Sequence, residues 1–325
     1  LLLVNIIQPG TSFSEEKRME LKEQYASNAA SKIASAKDVK EDGPLQFIVD
    51  MVPSNFIQAT GNNKNMLQVI FFAILFGIAM VMLPSEKTSV VKAFFDGVND
   101  IILQIVDLIM LTAPYGVFAL LGGLVVDFGG SAELFQALGI YSLSVVIGLL
   151  LMIMVVYPLI LKSFTKLKYF DFFKGIAPAQ MLAFSTSSSA ATLPVTMERC
   201  EDHLGVSEEV SSFVLPLGAT INMDGTAVYQ AIAAVFIAQT FGLDLSITAQ
   251  LGIIVTATLA SIGAAAVPSA GIIVLVIVLA QAGIPEAGLA LIFAVDRPLD
   301  MCRTVVNITG DATVSMIVDK IVSKK

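Results

Sequence analysis

A row of polar and charged side chains lies near the C-terminal end of the chain. Five of its members recur every three or four residues: Asp300, Arg303, Thr304, Asn307 and Asp311. This spacing places them on one face of a predicted helix. A guanidinium binds a carboxylate bidentately and a carboxylate binds an ammonium group, so Arg303 and Asp300 predict a site for a zwitterion with an extra acidic group. A purely structural Asp–Arg pair would account for two of these residues but not for the whole row.

A second cluster surrounds Asp224, which is the only charged residue between Glu209 and Asp244. Insertion of a carboxylate at the centre of a bilayer costs about 2.5–3.5 kcal/mol on insertion scales. An aspartate in such apolar sequence therefore indicates a functional role. Asn222 and Gly225 beside it predict an unwound helix with free carbonyl groups. Carboxylate, amide and carbonyl oxygens together suit a hard cation. A structural hydrogen-bond cluster is the alternative.

Two apolar segments are interrupted by small and polar residues. Residues 176–197 contain Ser185–Ser189 followed by Pro194, and residues 251–284 contain Ser261–Gly271. Each segment predicts two short helices joined by a turn. A pair of such broken segments is typical of a transporter binding site. Ordinary kinked helices are the alternative reading.

The composition is that of a membrane protein. Of 325 residues, 56% are hydrophobic and 14% are charged, the mean hydropathy is +0.81, and residues 245–285 carry no charged side chain. Soluble domains have about 25% charged residues. The net charge of −8 disfavours nucleic acid as a partner. The single histidine, His203, lies in a charged loop, which leaves a serine hydrolase without a base, and no metal-hydrolase spacing is present.

Four motifs together resemble the sodium-coupled glutamate/aspartate transporter family, the dicarboxylate/amino acid:cation symporters. They are SSSAATLP at 187–194, GATINMDGTA at 218–227, SIGAAAVPSAG at 261–271 and DMCRTVVNITGD at 300–311. The resemblance runs from Asn65 onward and implies an all-α, multi-pass membrane protein that forms a homotrimer. It also implies a glutamate-transporter-like fold with two re-entrant helical hairpins and an unwound helix at NMDGT. By this comparison the chain is an N-terminally incomplete bacterial member that begins near the end of the third membrane helix.

The resemblance divides the chain into four parts. They are the end of the third helix (1–10), a polar loop with the start of the fourth helix (11–64), scaffold and trimerisation helices (65–126) and a transport domain (127–325). Within the transport domain we expect a helix at 134–161, a first hairpin at 176–197, a broken helix at 207–240, a second hairpin at 251–284 and a last helix at 287–318. The lysine-rich loop before the first hairpin predicts that this hairpin opens on the cytoplasmic side.

The resemblance also implies a substrate site for L-aspartate or L-glutamate. Arg303 would bind the side-chain carboxylate with Thr226 and the backbone of Gly271. Asp300 and Thr304 would receive the amino group together with the carbonyl groups of Ser187 and Val267. Ser189 and Asn307 would hold the α-carboxylate.

Sodium ions are the implied coupling ions, and neither a catalytic residue nor another cofactor is expected. One site would consist of Asp311, Asn222 and the carbonyl groups of Gly218 and Asn307. A second would consist of Thr220 and the carbonyl groups of Ser261, Ile262 and Ala264. Asp224 and Asn222 would contribute to a third.

The chain departs from its family at two points. Ser187 and Met301 occupy the positions where some members carry a second arginine, and Arg297 is expected on a different helix face. Gln230 occupies the position of a proton-carrying glutamate in animal members, so the sequence predicts sodium symport without proton cotransport. The implied function is alternating-access transport of an acidic amino acid in the cell (inner) membrane. A C4-dicarboxylate or neutral amino acid symporter of the same fold, or an ion channel built on broken helices, remain alternatives.

Overall fold

All elements of the described chain are helical. The computed structural model describes residues 1–13, 19, 52–61, 66–112, 115, 118, 119, 122, 126, 132–165, 167–262, 264, 266 and 268–323. The α-helices are α1 (Leu2–Ile7), α2 (Phe56–Thr60), α3 (Met66–Met82), α4 (Ser85–Met110), α5 (Ala132–Leu151), α6 (Tyr157–Phe164), α7 (Tyr169–Thr186), α8 (Ser189–Asp202), α9 (Glu208–Ile221), α10 (Asp224–Thr240), α11 (Ile247–Ile262), α12 (Ala270–Gln281) and α13 (Leu289–Val322).

The chain divides into two compact units. The smaller one is Glu41–Ser131, and the larger one combines Leu1–Lys40 with Ala132–Lys325. In the smaller unit the ring of Phe72 stacks on Phe56 at 4.0 Å between centroids and on Phe76 at 6.1 Å. Large apolar side chains of α3 and α4 are exposed, for example Val81 and Phe94. A helix face with several large exposed apolar side chains marks contact with lipid or with another protein.

Two helical stretches of the described residues are long and apolar enough to cross a membrane. They are Ala132–Phe164 and Glu208–Thr240. The first contains a π-helical turn at Met152–Val156, which joins α5 to α6. The second is interrupted, since α9 ends at Ile221 and α10 begins at Asp224. Asn222 and Met223 adopt non-helical backbone angles, ψ 74° and 53°, so the break falls inside the NMDGT motif.

The two broken segments of the sequence are pairs of helices joined by short connections. Ser187, between α7 and α8, has a left-handed backbone with φ of 54°, and the Ser188 hydroxyl caps α8 by accepting from the Ala191 amide at 3.2 Å. Ser269, before α12, also has a positive φ, 60°. The first pair extends beyond the predicted 176–197, from Tyr169 to Asp202, because Phe172 and Cys200 belong to one buried apolar cluster. The second pair begins at Ile247 and ends at Gln281, where 251–284 was expected.

The long helix α13 carries the polar row into the interior of the larger unit. It begins at Leu289 and ends at Val322, where 287–318 was expected, and Pro298 lies inside it. Its buried residues include Asp296, Asp300, Arg303, Asn307 and Asp311. Helices α7, α9, α10 and α12 pack around α13, so its polar face meets both helix pairs and the broken helix.

Candidate substrate and cation site

Arg303 is the buried centre of the candidate site, with a side chain 1% exposed. Its NH2 atom donates to Asp300 Oδ1 at 2.6 Å and to Asp296 Oδ1 at 3.2 Å. The guanidinium carbon lies 3.9 Å from the ring centroid of Tyr229, whose hydroxyl donates to Asp296 Oδ1 at 2.9 Å. Two carboxylates and an aromatic ring therefore compensate the buried charge and fix its orientation.

The other two nitrogen atoms of this guanidinium have no hydrogen-bond partner among the described residues. Arg303 Nε and NH1 are buried without a hydrogen bond. A Cβ atom built on Gly271 would lie 2.6 Å from NH1, so only glycine leaves this approach clear. A buried, unsatisfied N–H donor costs about 1–3 kcal/mol. An incoming anion that accepts a charge-assisted hydrogen bond from NH1 would remove part of this cost.

Asp300 connects Arg303 to the second helix pair. Its Oδ1 atom accepts from Arg303, and its Oδ2 atom accepts from the backbone amide of Ser269 at 2.8 Å. Arg297 NH1 lies 3.7 Å from the same Oδ2 atom, although the Arg297 side chain is 52% exposed. The sequence placed Arg297 on a different face, but a spacing of three residues lets its long side chain reach Asp300.

A small cavity lies beside these groups. Its volume is about 10 Å³, which admits roughly one water molecule. The residues that line it are Ser187, Ser189, Met223, Thr226, Ala264, Ala266, Ala270, Gly271, Asp300, Thr304 and Asn307. This set contains all the predicted substrate residues except Arg303, which lies behind Gly271, and Val267, which lies outside the described residues. The Ser188 hydroxyl donates to the Ala266 carbonyl at 2.7 Å and so joins the two helix pairs at the cavity.

Asn307 joins the cavity to the broken helix. Its Oδ1 atom accepts from the Gly225 amide at 2.8 Å, and its Nδ2 atom lies 3.4 Å from Thr226 Oγ1. A Cβ atom on Gly225 would lie 2.5 Å from the carbonyl oxygen of Arg303, so the glycine permits this close helix contact. One amide side chain therefore fixes the start of α10 against the row on α13.

Oxygen atoms gather next to the break between α9 and α10. Asn222 Nδ2 donates to Asp311 Oδ1 at 2.9 Å. Gly218 faces the same carboxylate, since a Cβ atom on it would lie 2.6 Å from Asp311 Oδ1. The carboxylates of Asp311 and Asp224 lie here with the side-chain amide of Asn222, and such oxygen donors suit a hard cation. No cluster of three His, Cys, Asp or Glu side chains able to hold a metal exists in the described part of the chain.

Among the described residues, no hydrogen bond joins Thr220 to the other ligands predicted for the second cation site, which lie at the end of α11. The Thr220 hydroxyl is on an exposed part of α9 and donates to the Leu217 carbonyl at 2.8 Å. The carbonyl of Ser261 accepts from the Ala264 amide at 3.1 Å at the end of α11. The site formed by Thr220, Ser261, Ile262 and Ala264 stays a prediction.

Comparison with known proteins identifies the family. Residues 1–321 match the family model described as the sodium:dicarboxylate symporter family. The chain belongs to this family. The family resemblance inferred from the four motifs is thereby confirmed.

Curated members of the family give the degree of similarity. The chain is 39% identical over 277 residues to excitatory amino acid transporter 4 of Rattus norvegicus, covering 85% of this chain and 49% of the relative. It is 44% identical over 261 residues to excitatory amino acid transporter 3 of Mus musculus, covering 80% and 50%. It is 42% identical over 302 residues to excitatory amino acid transporter 2 of Mus musculus, covering 89% and 53%. The chain thus spans about half the length of these relatives.

Several residues of this family member take part in the site although the sequence analysis did not assign them to it. Asp296 lies seven residues before Arg303, two helical turns along the same face, and this spacing could have revealed it. Tyr157 and Ser188 lie on other segments and contact the site only through the fold. Tyr229 follows the NMDGT motif at a distance that carries no signal of its own.

Proposed function

We propose that the protein is a sodium-coupled symporter of an acidic amino acid, L-aspartate or L-glutamate, that works by alternating access. The observation that carries this proposal is the unpaired NH1 group of Arg303 next to Gly271. This group offers a charge-assisted hydrogen bond to a carboxylate, beside a cavity lined by predicted substrate residues. The curated relatives are named excitatory amino acid transporters, which agrees with such a substrate.

The substrate would use both sides of the Arg303–Asp300 pair. Its side-chain carboxylate would bind Arg303, Thr226 and the Gly271 backbone. Its ammonium group would bind Asp300 and Thr304, with carbonyl groups of the two helix pairs. Its α-carboxylate would bind Ser189 and Asn307. Because the cavity of about 10 Å³ is smaller than an amino acid, entry requires the helix pairs to move apart.

The charges favour an acidic amino acid over the two alternative substrates. Succinate has no ammonium group, so its anionic oxygens would meet the Asp300 carboxylate with like-charge repulsion. A neutral amino acid would leave the Arg303 NH1 group unsatisfied, at about 1–3 kcal/mol.

Sodium ions would bind where the oxygens gather. Asp311 and Asn222, with the Gly218 and Asn307 carbonyl groups, would form one site, Asp224 and Asn222 would contribute to another, and Thr220 with the end of α11 would form a third. Each sodium ion that enters across 100 mV provides about 2.3 kcal/mol, and a tenfold gradient adds about 1.4 kcal/mol. One ion barely offsets an anionic substrate, so steep accumulation needs two or three.

The finer architecture belongs to the same proposal. The helix pairs α7/α8 and α11/α12 would be re-entrant hairpins, and residues 127–325 would move against scaffold helices within 65–126. The exposed apolar faces of α3 and α4 would contact lipid or the neighbouring subunits of a homotrimer. The protein would be a multi-pass protein of a bacterial cell (inner) membrane.

Uptake into proteoliposomes tests the function directly. The full-length protein should take up labelled aspartate saturably when sodium is outside, and excess glutamate should compete better than succinate or serine. Replacement of sodium by choline should abolish the uptake. Equal uptake in choline, or a non-saturable flux, would overturn the proposal in favour of another coupling ion or a channel.

A further inference from the structure

The Tyr157 side chain connects three separate segments at the candidate cation site. It is 2% exposed, and its hydroxyl lies 2.9 Å from Asp224 Oδ2 and 3.1 Å from the carbonyl oxygen of Val306. Asp224 begins α10, Val306 lies in the middle of α13, and Tyr157 begins α6. No other hydrogen bond to the Asp224 carboxylate is found among the described residues.

The backbone before Tyr157 determines where this hydroxyl points. The π-helical turn Met152–Val156 ends immediately before it. A π turn adds a residue to the helix and so rotates everything that follows about the helix axis, and such turns are frequent at functional sites. The turn therefore gives Tyr157 an orientation that a continuous α-helix over this stretch would not give.

Gly310 leaves space for the contact between the Tyr157 hydroxyl and the Asp224 carboxylate. A Cβ atom on Gly310 would lie 2.8 Å from Asn222 Nδ2, 2.8 Å from the Tyr157 hydroxyl oxygen and 3.0 Å from Asp224 Oδ2. Three polar groups, two from the NMDGT break and one from α6, thus converge on one point of α13, next to Asp311, which Asn222 contacts. A convergence of two carboxylates, an amide and a hydroxyl is the chemistry of a cation site rather than of an apolar core.

The hydroxyl has two acceptors but only one proton. It can donate to Asp224 Oδ2 or to the Val306 carbonyl, and its oxygen can accept or coordinate at the same time. Donation to Asp224 compensates the buried carboxylate when no cation is bound. When a cation binds the carboxylate, the hydroxyl group can rotate and donate to the Val306 carbonyl instead. Its oxygen lone pairs are then free to face the cation.

We propose that Tyr157 is a positioning residue for sodium binding at the Asp224 end of the site. It holds the Asp224 carboxylate in place in the sodium-free protein and transfers its hydrogen bond to the Val306 carbonyl when sodium binds. This inference rests on the proposed sodium-coupled function. It adds a residue that the sequence analysis assigned to no site.

The test is a sodium titration of aspartate binding by calorimetry on full-length Tyr157→Phe. We expect the sodium concentration for half-maximal binding to rise roughly tenfold, as for loss of a group that orients a metal ligand. Aspartate affinity at saturating sodium should change less than twofold. The gain in melting temperature that sodium gives the wild type should shrink in the variant.

Tyr115→Phe is the control for the same substitution outside the unit that contains Asp224. The Tyr115 side chain is 79% exposed and lies in the smaller unit, so loss of its hydroxyl should leave the sodium titration unchanged. In an Asp224→Asn background, Tyr157→Phe should add no further shift, because the hydroxyl acts through this carboxylate.

The outcomes separate the inference from the proposed function. If wild-type protein binds aspartate with sodium dependence but Tyr157→Phe has a wild-type titration, the positioning role is wrong and the function stands. An equal loss of melting temperature with and without sodium would assign Tyr157 a structural role and also overturn the inference. If aspartate binding by the wild type does not depend on sodium, the proposed sodium-coupled function is wrong, and the inference about Tyr157 is wrong with it.

Discussion

Asp296 and Arg303 lie seven residues apart on α13, and Arg303 NH2 is 3.2 Å from Asp296 Oδ1. Asp296 is also hydrogen-bonded by the Tyr229 hydroxyl, on whose ring the guanidinium stacks. Asp296 and Tyr229 therefore fix the position of the Arg303 guanidinium, and neither residue lines the cavity. The free NH1 group of Arg303 keeps its direction because Asp296 and Asp300 both bind NH2.

Asp296→Asn should weaken aspartate binding although the residue does not line the cavity. The amide keeps the shape but loses the charge that orients Arg303, and loss of a hydrogen bond to a charged group costs about 1.5–3 kcal/mol. We expect roughly a tenfold lower affinity in calorimetry at saturating sodium. Asp319→Asn is the control, since Asp319 is bound by Ser207 near the end of α13, and it should behave as wild type. Unchanged affinity in Asp296→Asn would contradict the orienting role.

Arg303→Cys should shift transport from acidic to neutral amino acids. The substitution removes the only guanidinium next to Gly271 in the described structure, while Asp300 stays to bind an ammonium group. In uptake assays the variant should transport more labelled serine and less labelled aspartate than the wild type. Arg303→Lys should also lose aspartate affinity, about tenfold or more, because an ammonium group lacks the planar fork. Wild-type aspartate affinity in Arg303→Cys would remove the role assigned to Arg303.

Gly271→Ala should abolish tight aspartate binding. The new Cβ atom would lie 2.6 Å from Arg303 NH1 and 3.2 Å from Thr226 Cγ2, in the approach to the guanidinium. Overpacking of this kind costs about 1–3 kcal/mol, so a tenfold or greater loss is expected in calorimetry. Gly252→Ala is the matched control on α11, where a Cβ atom meets nothing within 4 Å. Equal binding by both variants would show that a substrate does not use this approach.

Gly218→Ala should raise the sodium concentration needed for aspartate binding, roughly tenfold. Its Cβ atom would lie 2.6 Å from Asp311 Oδ1 and would displace the carboxylate from Asn222. The measurement is a sodium titration at fixed aspartate. Gly139→Ala, with open space around its Cβ position, should give the wild-type curve. A wild-type curve for Gly218→Ala would argue against a cation at Asp311.

Aspartate uptake should not acidify the interior of proteoliposomes. Gln230 is fully buried and its Nε2 atom donates to the Gly271 carbonyl at 3.1 Å, and a carboxamide at this position carries no transferable proton. A pH-sensitive dye inside the vesicles should stay constant during sodium-driven uptake. Substrate-driven acidification in vesicles without other proton paths would make the prediction wrong.

Local spacing determined the polar face of the last helix. The positions 300, 303, 304, 307 and 311 recur with the helical period, and α13 indeed runs unbroken through them. The same holds for the break at Asn222 and Met223, which Gly225 and an isolated Asp224 indicated. These features follow from neighbours along the chain, so the sequence alone was sufficient.

Contacts between distant segments were decided by the tertiary structure alone. Tyr157 and Asp224 are 67 residues apart, and Ser188 and Ala266 are 78 apart. No periodicity relates such pairs, because their meeting depends on how helices pack and on the register shift of one π turn. Helix packing also set the bounds of the first helix pair, since burial of Phe172 and Cys200 extends it past the apolar segment that the sequence marks.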